Sequence, residues 1–204
     1  MVFDFFGDNH PFQLAWTAAD SGNAFLALDR NQNGKIDSGK ELFGNVTEQT
    51  TSDRPNGFLA LAEFDKPENG GNGDGIIDKR DAIFSRLLLW IDENHDGISQ
   101  PNELHPLPEL GVFSLGLRYR DDEGLFDSYG NWFRYQARVN PHRSDGRSED
   151  GRFMYDVFLS TGAGDAKQVS RWGRVPDLDS VMDPLNQPKS RCSSSYQTIQ
   201  GKRQ

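Results

Sequence analysis

The sequence predicts an α+β fold: helix–loop–helix units built on oxygen-rich loops, followed by a small three-stranded antiparallel sheet. Two observations predict it. A spacing of Asp, Asn and Gly recurs between residues 29 and 103, each time flanked by short apolar stretches. From 112 to 159, aromatic and β-branched residues then alternate with polar ones, which is the period of strands.

The most complete loop runs from Asp92 to Glu103 and sets the register for the others. Asp92, Asn94 and Asp96 hold its first, third and fifth places, Gly97 the sixth and Glu103 the twelfth. This is the EF-hand pattern of a calcium loop. Ca²⁺ takes six to eight oxygens at about 2.3–2.6 Å, so short acids and amides at alternate places must point inward. The main-chain carbonyl of Ile98 adds a further oxygen at the seventh place, and Glu103 closes the shell with both carboxylate oxygens. Gly97 supplies the positive φ of the turn.

From the N-terminus, Asp4-Phe5-Phe6-Gly7-Asp8-Asn9-His10 places acids at useful positions but has Phe6 where a ligand belongs, as in a decayed loop or half of a longer one. Ala24–Leu28 leads into a second loop, with Asp29, Asn31, Asn33, the Lys35 carbonyl and Asp37 at the first, third, fifth, seventh and ninth places. Lys40 stands at its twelfth place and cannot ligate, so this loop closes only if Glu41 swings in from one residue later. Asn56 is placed to cap an entering helix that buries Phe58, Leu61, Ala62 and Phe64. A third loop offers Asn72, Asp74, the Ile76 carbonyl, Asp78 and Asp81, a shorter closing acid. Its first ligand is Asp65 or Glu68, with Asp65 favoured, because 67–71 reads as an insertion. Phe58-Leu59-Ala60-Leu61 repeats the Phe-Leu-Ala-Leu of 25–28, a weak internal repeat. Short exit helices are expected at Glu41-Leu42-Phe43, Ala82-Ile83-Phe84 and Glu103-Leu104. Leu87–Ile91 is too continuous for an amphipathic helix and reads as a buried strand or the buried end of a helix.

Strands at 112–120, 131–139 and 151–159, separated by turn-like segments at 127–130 and 140–146, form the expected meander. Its aromatics, Phe113, Tyr119, Trp132, Phe133, Tyr135, Phe153, Tyr155 and Phe158, read as core. The domain is expected to span 1–160, with the sheet at 111–160. A tail of Gly, Ser, Gln, Pro and charge at 161–204 reads as disordered.

Composition narrows the function. The net charge is −9, which argues against nucleic acid and anionic membranes as partners. Cys192 is the single cysteine, so no internal disulfide forms. The start, Met1-Val2-Phe3-Asp4, lacks the basic and apolar regions of a signal peptide, and no apolar run has the ~20 residues of a membrane span. His10, His95, His105 and His142 lie in no context resembling a nucleophile, a base or a phosphate loop, so no enzyme is expected.

The stretches AFLALDRNQNGKIDSGKELFG, NGFLALAEFD with NGDGIIDKRDAIF, and LLLWIDENHDGISQPNEL resemble the EF-hand-like calcium-binding regions of large secreted bacterial proteins, including some repeats-in-toxin and adhesin-like proteins. The resemblance covers about residues 1–159 and takes in VFSLGLRYR, NWFRYQARV and GRFMYDVFL. It implies calcium binding and an extracellular or cell-surface setting, and no catalytic activity. In such regions the opening segment often carries D-x-D-G-D-G, where this chain reads Asp4-Phe5-Phe6-Gly7-Asp8-Asn9.

One Asp/Asn/Gly stretch is ordinary turn chemistry; three sharing a ligand register are not what independent turns produce. Carboxylates ~5 Å apart repel by roughly 3 kcal/mol per pair at an effective dielectric near 20. That is a large share of a domain's margin, so calcium binding and folding are expected to be coupled. The expected function is calcium binding at two or three loops, with the ion stabilising the domain and being sequestered by it. The alternative is a calcium-dependent module, of dockerin or adhesin type, that binds a protein partner the sequence does not identify.

Overall fold

The computed structural model describes residues 1–16, 22–122, 125–127, 129–141 and 151–161, together with the backbone of 195–199. The expected α+β arrangement of helix–loop–helix units is not what these residues form. Most elements are short antiparallel strands, and the one α-helix among the described residues, α1 (Gly57–Ala62), has 6 residues. The strands are β1 (Val2–Phe3), β2 (Phe12–Gln13), β3 (Ala24–Leu28), β4 (Ile76–Asp78), β5 (Leu87–Trp90), β6 (Leu104–Pro106), β7 (Ser114–Gly116), β8 (Arg120–Asp121), β9 (Trp132–Arg138), β10 (Phe153–Phe158) and β11 (Ser195–Ile199). β1 pairs with β2 and β4 with β7, while a larger sheet runs in the order β6-β5-β3-β11-β10-β9-β8.

The reason for the correction is visible at β3. Its five residues precede Asp29 directly, too short a run to nucleate a helix. All five are buried, as in a strand covered on both faces. Ala24, Leu26 and Leu28 face α1 through Phe58, Ala60 and Leu61. Phe25 and Ala27 face Phe3, Phe5, Phe12, Leu14 and Trp16 on the opposite side. β5 lies beside β3, with Phe25 opposite Trp90 and Leu28 opposite Leu87. Leu87–Trp90 is therefore the buried strand of the two readings the sequence allowed. The exit helices shrink to single 3-10 turns at Gly39–Glu41, Phe84–Arg86 and Pro101–Glu103.

The capped helix does form. Asn56 Oδ1 accepts from the amides of Phe58 and Leu59, both at 3.0 Å. The turn Glu63–Asp65 then ends it and delivers Asp65 to its loop.

The meander is divided. β7 pairs with β4, β8 pairs with β9, and β9 pairs with β10. Ile77 is fully buried where β4 leaves its loop, and β7 supplies the edge that satisfies its backbone. Ser195–Ile199, within the stretch read as tail, is a strand between β3 and β10. His142, and the residues after Thr161 other than 195–199, Cys192 among them, lie outside the described residues. Among those described, no helix is long and apolar enough to cross a membrane.

Candidate metal centres

Four loops share one backbone scheme. In the 92–103 loop, Asp92 is 7% exposed and accepts from the amides of the fifth and sixth places, Asp96 at 3.2 Å and Gly97 at 3.0 Å. Asn94 Oδ1 accepts from Asp96 at 2.9 Å, and Asp96 Oδ1 from Ile98 at 2.7 Å. Glu103 folds back to accept from the second and ninth places, Glu93 at 3.0 Å and Gln100 at 3.1 Å.

The 29–41 loop repeats this bond for bond. Asp29 accepts from Asn33 and Gly34 at 3.2 and 2.8 Å, Asn31 from Asn33 at 3.0 Å, and Asn33 from Lys35 at 2.9 Å. Glu41 accepts from Arg30 at 3.2 Å and Asp37 at 2.9 Å, again the second and ninth places. One extra residue thus brings Glu41 to the position Glu103 holds. Lys40 is turned outward, and its Nζ donates to the Gly7 carbonyl at 3.0 Å. Asp37 accepts from the Asn33 side-chain amide at 2.8 Å.

The 65–81 loop keeps the scheme with two bonds shifted by its insertion, the first acid taking the fourth-place amide and the closing acid the third-place one. Asp65 accepts from Gly73 and Gly75 at 3.1 and 2.8 Å. Asn72 accepts from Asp74 and Asp74 from Ile76, both at 3.0 Å. Asp81 accepts from Asn72 at 3.1 Å and Asp78 at 2.8 Å. The inserted residues fold so tightly that a Cβ on Gly71 would lie 2.2 Å from the Asp65 carbonyl carbon, which makes glycine obligatory there. Glu68 is exposed and Asp65 buried, the order the sequence favoured. Asp78 is turned toward Arg80, whose guanidinium lies 2.7 Å from Asp78 Oδ2 and 2.6 Å from Asp74 Oδ2.

The opening segment folds the same way. Asp4 accepts from Asp8 at 3.2 Å and Asn9 at 2.8 Å, and Asp8 from His10 at 3.0 Å. Phe6 fills the third place and stacks on Phe12 at 5.5 Å. The scheme has a backbone signature the sequence reading missed. The fourth place has φ of 60° at Gly7, 59° at Gln32, 74° at Gly73 and 59° at His95. The sixth has 63° at Asn9, 79° at Gly34, 81° at Gly75 and 77° at Gly97. Only the sixth-place glycines advertised this in the sequence, because Gln and His are unusual in the left-handed region.

The donor set suits a hard cation. In the 29–41, 65–81 and 92–103 loops the side chains that accept the loop amides are carboxylates and Asn amides, with no soft or nitrogen group among the described residues of the scheme. Burial, then repulsion from Glu103 and Asp96, pushes the Asp92 carboxyl up. Burial likewise raises Asp81, with Asp65 and Asp78 adding to it, and raises Glu41, with Asp37 adding to it. Such shifts mark carboxyls whose charged form is disfavoured mainly by burial and secondarily by neighbouring acids. Gln100, at a ninth place the sequence reading passed over, has a buried Oε1 without a hydrogen-bond partner among the described residues. Among the described residues, no three His, Cys, Asp or Glu side chains converge into a metal cage of their own. His95 sits at a turn position of the 92–103 loop, and His105 Nδ1 lies 3.6 Å from Glu109.

A curated relative, the iron-regulated protein FrpA of Neisseria meningitidis serogroup C, is 50% identical over 176 residues, covering 80% of this chain. The chain spans 15% of the length of that relative. The family model of the SPM domain matches residues 1–160, the stretch that holds all four loops. The chain therefore belongs to the SPM domain family.

Proposed function

We propose that this domain binds calcium at the 92–103 and 29–41 loops, with the 65–81 loop as a weaker third site, and that the ions hold the loops in their folded form. The observation that carries this reading is the repeated scheme in which the first-place acid, the third- and fifth-place side chains and the closing acid each accept backbone amides of the same loop. Asp92, Asn94, Asp96, the Ile98 carbonyl, Gln100 and Glu103 would hold one ion. Asp29, Asn31, Asn33, the Lys35 carbonyl, Asp37 and Glu41 would hold another. Calcium would supply the positive charge that the raised carboxyls lack, and the chain's part is to present oxygens at fixed spacing. A setting rich in calcium, such as the cell exterior, would suit sites of 10⁻⁴–10⁻³ M.

Calorimetric titration of metal-stripped protein tests this. Two or three calcium ions per chain are expected, with Mg²⁺ a poor substitute because it demands a tighter octahedron. Trp90 is fully buried with its Nε1 3.5 Å from Glu103, so Tb³⁺ in that loop should luminesce when the indole is excited. Equal stability with and without chelator, and no metal uptake at millimolar concentration, would overturn the reading.

A calcium-dependent docking role is the second reading. Ile98 is 59% and Val2 56% exposed. Gly97 lies against the Val2 carbonyl, so both apolar side chains flank the same loop.

A further inference from the structure

The eighth places of the 29–41 and 92–103 loops meet. Ile36 stands at one and Ser99 at the other, and both are buried. The Ser99 hydroxyl accepts from the Ile36 amide at 2.7 Å and donates to the Ile36 carbonyl at 3.1 Å. One side chain thus engages both polar groups of a residue 63 positions away. The loops leave opposite ends of the β3–β5 ladder, since Leu28 is level with Leu87 and Trp90 with Phe25. The hydroxyl ties together loop centres that the sheet sends in different directions.

What this contact transmits follows from peptide geometry. The Ile36 N–H and the Lys35 carbonyl belong to one planar trans unit and point opposite ways. That carbonyl is the seventh-place oxygen expected to face the ion. A cation drawing on it polarises the whole unit and strengthens the N–H bond to Ser99 Oγ. The Ser99 N–H in turn shares its peptide with the Ile98 carbonyl, the seventh-place oxygen of the other loop. Orienting the Lys35 carbonyl therefore acts on the Ser99 hydroxyl through one hydrogen bond, and the Ile98 carbonyl acts on it through the Ser99 backbone. Burial makes the alternative, leaving those groups unpaired, costly.

We infer that Ser99 is a positioning residue that couples the two sites, so that filling either loop raises the affinity of the other. This rests on the calcium reading above. Binding couplings are reciprocal and commonly fivefold or more. The 65–81 loop stands apart, because its eighth residue, Ile77, pairs with Leu115 in the β4–β7 ladder and packs in the other core.

Calcium titration of the full chain beside Ser99→Ala reads the coupling. The unaltered chain should fill two sites with a Hill coefficient above one. Ser99→Ala should bind the same number of ions without the steepness, its second step weakened about fivefold or more. Should that buried substitution fail to fold, the Asp29→Asn chain gives a second readout, the NMR shift of the Ile36 amide as calcium enters the 92–103 loop. Movement of that amide supports the coupling, and a stationary amide overturns it. Two ions binding independently to the unaltered chain would overturn the coupling and leave the calcium reading intact; no uptake at all would overturn both.

Discussion

The 92–103 and 65–81 loops are built on closely related hydrogen bonds yet differ in the charges around their acids. In the first, Asp92, Asp96 and Glu103 have no Lys or Arg among their hydrogen-bond partners in the described residues. In the second, Arg80 reaches back to within 2.7 Å of Asp78 and 2.6 Å of Asp74. It brings a permanent positive charge to acids that a divalent ion would otherwise neutralise. The shorter Asp81 closes this loop, and its backbone continues into the β4–β7 ladder. Closely related loop conformations thus occur with an internal cation and without one.

The strongest way to break the contrast is Asp92→Ala. It removes the first ligand and also deprives the Asp96 and Gly97 amides of their acceptor, at about 1–3 kcal/mol each if water cannot replace it. We expect one ion fewer per chain, loss of Trp90-sensitised Tb³⁺ luminescence, and calcium affinity at that loop down by about 100-fold or more. Unchanged stoichiometry would move the strong site elsewhere. Glu41→Gln follows in size. Glu41 accepts from Arg30 and Asp37 with separate oxygens, so Gln keeps one of the two amide bonds and removes the closing charge, and calorimetry should show the 29–41 site weakened about tenfold or more. If Lys40 instead occupied the closing position, this substitution would leave calcium binding untouched.

Much of the loop conformation was legible because loop chemistry is local. Asp92 to Glu103 carries its ligand spacing within one short segment, and the one-residue delay to Glu41 could be read from Lys40 alone. The choice of Asp65 over Glu68 was also within reach, since an insertion before Asn72 leaves the end of a helix as the natural source of a first ligand. The fold was much less legible. An EF-hand pattern suggests flanking helices, but Ala24–Leu28 is buried on both faces by residues as remote as Phe3 and Phe58. Nothing inside five apolar residues announces such distant partners. Phe113, read as core, is 60% exposed because its strand leaves the meander to pair with β4. The Ser99–Ile36 contact was hidden for the same reason, being a tertiary bond between two locally readable loops.

Arg80→Gln sharpens the comparison from the other side. Removing the internal cation should raise calcium affinity at the 65–81 loop by about three- to fivefold, the modest effect of a partly exposed ion pair. The metal-free protein should melt slightly lower, and the calcium-loaded protein should recover the difference. Titration by calorimetry shows the first effect and thermal melts the second. A fall in affinity would mean that Arg80 orders the loop for the ion rather than competing with it.

The smallest expected effect is on pH dependence, and its sign is fixed by the direction of the carboxyl shifts. Asp92, Asp81 and Glu41 have raised pKa values in the metal-free fold. Between the ordinary carboxylate range and those raised values, the fold holds protons that the unfolded chain has released. Stability from these groups is therefore present below that range and declines as pH rises through it. Glu63, held down to about 2 by hydrogen bonds from Lys66 and Thr50, works in the opposite sense. It lies outside the proposed ligands, so it contributes alike with and without metal and cancels in the difference. Calcium needs the carboxylates ionised, so its binding releases protons and strengthens as pH rises. The melting-temperature gain on adding calcium should be slight near pH 4 and grow by several degrees toward neutrality, with a plateau once the raised carboxyls have ionised. A gain independent of pH would separate the ion from these acids, and a gain confined to the Arg80→Gln protein would place it in the 65–81 loop alone.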